Sequence, residues 1–361
     1  MSNLDIAHKR LHNQLITQRT FEKPEDVVRW LGAVQAQDYR GALWAVGLRM
    51  RNAVAADIEQ TMADGVIVRT HPMRGTWHFV AAADIRWLLM LMAPGRIASN
   101  ALWYRRLELD EATFAKSNVV FAKALQGGKK LTRRELAAAL RQAGISTEGL
   151  RLTFLLHRAE LEGVIGSGAR RGKQFTFALL DEVVPVSRLL ERDEALAELA
   201  SRYFTSHGPA TLQDFMWWSG LTAADARAGL EMVKSRFIQE AIDGKTYWLS
   251  PPTLTTKVAS PTAYLLPPYD EYTVAYKDRS AILDPAYAQQ TGYGIGPTIV
   301  VDGQIVGRWK RTFNKDAVVI TSDLFTSLSE AQNRAIATAV ERYSRFVGKS
   351  MTQPYRRPCP T

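Results

Sequence analysis

The feature that most constrains this chain is a recurring order of elements: a capped helix, a glycine turn, a second helix, then a hairpin. It is clearest between residues 131 and 180. Thr132 stands three residues before Glu135, the pattern of a capping box that opens a helix. Leu136, Leu140 and Ala143 follow at helical spacing, and Gly144 closes the segment. A second helix is predicted over residues 147–162, with Leu150, Phe154, Leu155, His157 and Leu161 on its apolar side and Gly163 as its stop. Val164 and Ile165 begin a short strand. Residues 166–173 read as a turn rich in Gly and Arg, and residues 175–179 alternate as the returning strand. Two helices joined by a tight turn and followed by a hairpin make a winged helix-turn-helix.

The same order recurs twice. Thr211 with Asp214 in the third place opens a helix, Gly220 turns the chain, residues 222–233 form a second helix, and strands at 237–241 and 246–249 flank Asp243-Gly244, a hairpin signal. The N-terminal unit is longer: a helix from Pro24 through Leu31, an apolar stretch over 42–50, a helix over 55–62, and a hairpin of residues 66–70 and 75–80. Repeated units argue for an array. A helical connector spans about 83–125. After Leu249, Pro251, Pro252, Pro261, Pro267 and Pro268 mark a linker and a new domain. There, strands at 298–302, 304–309 and 317–321 with an Asp302-Gly303 turn, and a helix over 329–345, predict a small β-rich domain, barrel or curled sheet. The Pro- and Arg-rich tail from Gln353 reads as loose. The predicted fold is α+β: three winged-helix units at 1–82, 126–185 and 186–250, with the connector at 83–125, then a β-barrel-like domain at 251–361.

The net charge is +10, and its position matters more than its size. Residues 126–175 hold ten basic and four acidic side chains, more than half of the excess. Such a concentrated positive field suits a polyphosphate partner, because binding releases condensed counterions; a basic, solvated surface is the plainer alternative. The single cysteine, Cys359, allows no intrachain disulfide and no thiolate metal site. Residues 1–10 lack the apolar core of a signal peptide, and the longest apolar run, 87–94, is too short to span a bilayer. These features place the chain in a reducing cytoplasm.

Phosphate loops of the Walker type, a dinucleotide fingerprint and a Gly-x-Ser-x-Gly elbow are absent. The run Gly292, Gly294, Gly296 is followed by Pro297 and reads as a loop; Ser167 sits in a wing. His8 and His12, four apart on the first helix, form half of a metal site at most, without a supporting Cys or carboxylate. Three segments remain. In Gln35-Ala36-Gln37-Asp38-Tyr39-Arg40, two Gln at i and i+2 face one way only on an extended backbone; the alternative is a polar turn whose carboxamides cap backbone groups. The Arg69–His78 hairpin carries Arg69, His71, Arg74, Trp77 and His78, equipment for a groove or a displaced base, or for packing between wing and connector. The third is a pair of stretches. Leu265–Tyr272 offers adjacent carboxylates, Asp270 and Glu271, for accessory chemistry or for a bridge to another unit's Arg. Gly307–Arg311 presents Arg308, Trp309, Lys310 and Arg311 to phosphates or a groove, unless Trp309 belongs to the core.

Together Val34–Asp38, Arg69–His78, Leu266–Tyr272 and Gly307–Arg311 resemble the AlkZ-like family of winged-helix DNA glycosylases, in the family's order and across essentially the whole chain. The resemblance implies three tandem winged helices and a C-terminal β-barrel forming a C-shaped clamp on duplex DNA. The family's catalytic Gln-x-Gln falls on Gln35 and Gln37; a related branch has Gln-x-Asp, from which this chain departs at Gln37. Members excise alkylated purines, and some unhook interstrand crosslinks. Many relatives are known only as winged-helix DNA-binding proteins. With DNA as partner, the expected contacts are Arg40, Arg69, Arg74, Trp77, His78, Arg170, Arg171, Lys173 and Arg308–Arg311.

Carboxamide catalysis is chemically credible. Gln does not titrate and cannot be a general base, but an N7- or N3-alkylpurine is already cationic and leaves as a neutral base. The two amide oxygens need only orient a water beside the sugar carbon. The expected activity is therefore a monofunctional hydrolase of base-excision repair, acting as a monomer on cationic lesions, with no metal or organic cofactor. The nearest lysine in sequence is Lys23, so lysine-mediated strand cleavage is not expected. Two other classes compete: a non-enzymatic DNA-binding protein or transcriptional regulator, which would select an operator, and a scaffold that binds partners through the β-rich domain.

Overall fold

The structure is a computed structural model, and it describes residues 1–184, 188–251, 260–291 and 296–351. Most of the Gly292–Gly296 loop, Cys359 and the Pro- and Arg-rich tail lie outside the described residues. The fold is mixed α+β. Its helix–hairpin segments form where local chemistry demands. Thr132 and Thr211 close capping boxes with Glu135 and Asp214, starting the helices Arg133–Gln142 and Leu212–Ser219. Gly220 ends the latter in the left-handed conformation. Asp243-Gly244 and Asp302-Gly303 both turn with positive φ at each residue, the geometry a two-residue hairpin requires.

In the first unit, helices Pro24–Leu31, Tyr39–Leu48 and Ala55–Ala63 accompany a three-stranded sheet with His78–Ala81 at its centre. It pairs antiparallel with Ile67–Thr70 on one side and Val34–Gln35 on the other. In the second, the sheet order is Leu131–Thr132, Gln174–Leu179, Ile165–Arg171. The Ile165–Arg171 strand runs through most of the segment read from sequence as a turn. Only Gly172 and Lys173 make the turn, because residues 165–168 and Arg171 pair across the hairpin, with an irregularity between Gly168 and Arg171. The second helix of this unit starts later than the spacing suggests, at Arg151, since Gly149 at φ +55° breaks the backbone before it. The helix Arg192–His207, which the sequence reading passed over, packs on Ala223–Val233 in the third unit.

The C-terminal strands form a five-stranded sheet in the order Ser350–Met351, Ala317–Leu324, Gln304–Phe313, Thr298–Val301, Ala263–Leu266. Its edges do not pair with each other among the described residues, so the expected barrel is an open sheet here. This sheet shares a core with the first unit: Val34, Trp44 and Phe79 pack in one cluster with Tyr272, Trp309 and Tyr343. Gly47 is where the approach is closest, because a Cβ there would lie 2.3 Å from the Phe346 ring. The connector helix Ala82–Ser99 packs with the third unit, and Glu111–Leu125 packs with the second. Among the described residues no helix is long and apolar enough to cross a membrane.

Candidate functional site

The segment Gln35–Asp38 is extended only at its start, where Val34–Gln35 adds to the edge of a sheet; Gln37 lies beyond that strand, so the two carboxamides do not share one strand face as the extended reading expected. Gln35 sits opposite His78, and the Ala36 N–H donates to the Trp77 carbonyl at 2.6 Å. It is then gripped by charged groups from three parts of the chain. The Glu271 carboxylate accepts from the Gln35 N–H at 2.9 Å. Arg74 donates to Gln35 Oε1 at 3.0 Å. Arg69 donates through Nε and Nη2 to the Ala36 carbonyl at 3.2 and 3.0 Å. Asp38 caps the Tyr39–Leu48 helix through the Gly41 N–H and is itself held by Arg311 at 3.0 and 3.2 Å.

The two carboxamides end in different surroundings. Gln35 is 7% exposed, whereas Gln37 is exposed and its Oε1 lies 3.5 Å from the Trp77 N–H, at the limit of a hydrogen bond. The Arg74 bond fixes which way the Gln35 amide points, since only its oxygen accepts, and one lone pair of that oxygen remains. Arg74 has φ +53°, a left-handed conformation costly for a long side chain, and Gly75 follows at +72°. That conformation brings the guanidinium onto both Gln35 and His78 Nε2, the latter at 3.4 Å.

Burial sets the charge states around this point. It pulls the His78 imidazole down to about 3, aided by the Arg74 charge, so the ring is neutral. Its Nδ1 bonds the Thr76 carbonyl at 2.8 Å, leaving Nε2 to accept from Arg74. Burial also pulls Arg74 below its usual range, opposed by Glu271. The Glu271 carboxyl is fully buried, which favours its neutral form. His207, the Gln35 N–H and Arg74 nevertheless hold it below the usual carboxylate range. Its second oxygen accepts from the Trp218 indole at 2.9 Å, with His207 Nε2 at 3.5 Å. Burial lowers His207 as well, opposed by its contact with Glu271.

Beside this segment opens a cavity of about 740 Å³, lined among others by Arg69, Trp77, Arg133, Arg134, Lys173 and Phe175. Trp77 stands between the His71 ring at 3.7 Å and the Arg69 guanidinium at 4.0 Å; His71 in turn bonds Glu160 at 2.7 Å. Arg170 lies over Tyr39 and Phe175 while pairing with Glu59 at 2.8 Å. Arg171 pairs with Glu135 on the surface, and Lys173 is exposed.

Several expected DNA contacts are corrected by burial. His78 at 0% and Trp309 at 2% exposure present nothing to a duplex; Trp309 donates to the Leu266 carbonyl at 2.7 Å and packs on Tyr343. Arg69 and Arg311 spend their guanidinium groups on Ala36 and Asp38. Asp270 makes a fully buried two-point pair with Arg49, at 2.8 Å for both bonds, and Glu271 has no exposed atoms, so neither carboxylate can touch a substrate. Arg40 is exposed, lying over Phe313; Lys310 is exposed, and Arg308 pairs with Asp323 at 3.6 Å. His8 and His12 bond the Asp302 carbonyl and Gln18 separately rather than converging. The sequence reading missed Arg133 and Arg134. Two arginines in the first turn of a helix oppose its dipole, and that local conflict was a legible signal.

With this geometry in place, three comparisons bear on the chain. A family model described as "DNA glycosylase AlkZ-like" matches residues 28–346. An interstrand DNA cross-link repair glycosylase of Streptomyces sahachiroi is 25% identical over 369 residues, spanning 94% of each sequence. The solved structure of a DNA glycosylase AlkZ from the same organism shares the fold, with a TM-score of 0.82 at 24% identity over 99% of both chains.

Proposed function

Because the chain belongs to the AlkZ-like DNA glycosylase family, we propose that it hydrolyses the N-glycosidic bond of cationic alkylated purines in duplex DNA, Gln35 and Gln37 acting at the reacting sugar. The observation that carries this reading is the clamped Gln35–Asp38 segment, in which Gln37 is the exposed residue and lies next to Trp77, a wall of the basic, aromatic cavity. The three helix–hairpin units serve as winged helices at 1–82, 126–185 and 186–250, and the C-terminal segment braces the first of them. The relative's printed role in cross-link repair supports extending the substrate class to interstrand crosslinks.

The alkylpurine carries the positive charge that departs with the bond, so no strong acid is required. As the bond breaks, positive charge develops on the sugar. The Gln37 oxygen accepts from a water and aims its lone pair at that carbon; the Gln35 oxygen supports the same water with its remaining lone pair. The water oxygen bonds to the sugar, the base leaves neutral, and one water proton passes to solvent. Glu271 contributes from behind: a fixed buried carboxylate lowers the cost of positive charge nearby without reorganising, and its bond to the Gln35 N–H holds that residue in register. No metal or organic cofactor is needed for this step.

The test is release of N7-methylguanine from methylated duplex DNA. Wild-type protein releases it, and Gln35→Ala/Gln37→Ala loses at least about 100-fold of the rate while binding duplex as before. Uracil excision by the wild type would sink the requirement for a cationic leaving group. Should methylated DNA yield nothing, crosslinked duplex is the next substrate. Failure on both, with salt-sensitive binding intact, leaves a DNA-binding protein without chemistry.

A further inference from the structure

The Tyr39–Leu48 helix starts at the Gln pair and ends, about 15 Å further on by its rise per residue, against a second cavity. This one encloses about 420 Å³ and is lined among others by Thr17, Arg19, Trp44, Tyr264, Arg342 and Arg345. No carboxylate lines it among the described residues. Arg342 is fixed: its Nη2 donates to the carbonyls of Gly47, Leu48 and Met50 at 3.2, 2.6 and 3.2 Å. Its Nη1, however, is buried without a hydrogen-bond partner among the described residues, and so are Arg19 Nε and Thr17 Oγ1. Burial and the charge of Arg19, with a smaller push from Arg345 and against the help of Tyr264, pull Arg342 down to about 9.

Two of the three guanidinium groups, Arg19 and Arg342, hold unpaired buried donors beside the exposed Arg345, an arrangement that is unfavourable unless an anion completes it. Guanidinium groups match phosphate oxygens in geometry and charge, and the volume lies within the range of small-ligand sites. We propose that this cavity is a binding site for a phosphate group, supplied by a DNA backbone phosphate or by a free phosphate ester. It is separate from the Gln35 site and does not depend on the glycosylase reading.

The experiment uses the full chain and calorimetry at constant ionic strength. Inorganic phosphate, a nucleoside 5′-monophosphate and an undamaged duplex are titrated in turn into wild type, Arg19→Gln and Arg345→Gln. Arg342 is left intact because it caps a helix. A lost charged hydrogen bond of about 2 kcal/mol corresponds to more than tenfold in affinity. The proposal expects at least that loss in Arg19→Gln for one of the ligands. If phosphate or the monophosphate binds saturably and weakens while duplex affinity holds, the source is a free ester. If duplex affinity falls, the source is the DNA backbone. Melting supplies a second reading. Phosphate raises the wild-type Tm and leaves that of Arg19→Gln unmoved. In phosphate-free buffer the variant melts no lower than wild type, because Arg19 Nε makes no bond to lose. Binding of all three ligands unchanged by both substitutions overturns the proposal, as does an Arg19→Gln Tm that rises with phosphate as much as that of the wild type.

Discussion

Two hairpins of this molecule look alike in sequence. Ile67–Thr70 with His78–Ala81, and Ile165–Arg171 with Gln174–Leu179, each carry several basic residues in or beside the connecting turn. In the first, Arg69, Arg74 and His78 turn inward and bind Ala36, Gln35 and one another. In the second, Arg171 and Lys173 face solvent. Each hairpin carries a third strand, so the difference lies in what else packs there: the C-terminal segment reaches the inner one through Glu271, while a Cβ at Gly172, at the tip of the outer one, would meet nothing within 4 Å. A basic hairpin therefore has two uses, as scaffold for a site or as grip on a polyanion, and composition cannot separate them.

The sharpest way to break this comparison is Arg74→Ala. It removes the bond that orients the Gln35 amide, so excision should fall about 100-fold, as for loss of one preorganised polar contact, while duplex affinity stays within a few-fold. A large loss of affinity instead would make the inner hairpin a DNA grip like the outer one. Next in size is Arg171→Ala/Lys173→Ala. Affinity should drop roughly tenfold, and the slope of log K against log salt should shrink by nearly two for two lost phosphate contacts. Excision at saturating DNA should be unchanged; a lowered single-turnover rate would bring the outer hairpin into the chemistry.

A third expected effect is on acid stability. His78 on the inner hairpin and His157 behind it are both pulled down to about 3 by burial, from an ordinary 6.5. Each binds a proton in the unfolded chain at a higher pH than in the folded one. Their contribution is complete above pH 6.5 and declines as pH falls toward 3, by up to about 1.4 kcal/mol per pH unit for each ring. Urea denaturation across that window should show the decline, and His78→Asn should flatten it. An unchanged slope in that variant would mean that His78 is hydrated and titrates normally.

Much of the fold was legible. The caps at Thr132 and Thr211, the Asp-Gly turns and the helical spacing located most elements, because each depends on residues within one turn of one another. Of the bounds that moved, the strand Ile165–Arg171 extends because its partner exists, and the helix at Arg151 starts late because Gly149 breaks the backbone before it. Of the candidate site, the spacing of Gln35 and Gln37 left an extended backbone and a polar turn both open, and the four motifs were picked out together. Their roles were divided by burial. Trp309 and Asp270 look as available in the sequence as Arg171 and Lys173, yet they are interior.

By itself the sequence determined the helix and hairpin units, the concentration of charge on the second unit, and the pair of carboxamides. These follow from short-range periodicity, capping and counting. Only the tertiary structure decided that Glu271, 236 residues from Gln35, holds its N–H, and that Arg74 bends back to fix its amide. It also decided which arginines meet solvent and which are spent on carbonyls. The reason is physical: burial is a property of what packs around a side chain, and those neighbours come from distant parts of the chain whose approach leaves no local trace.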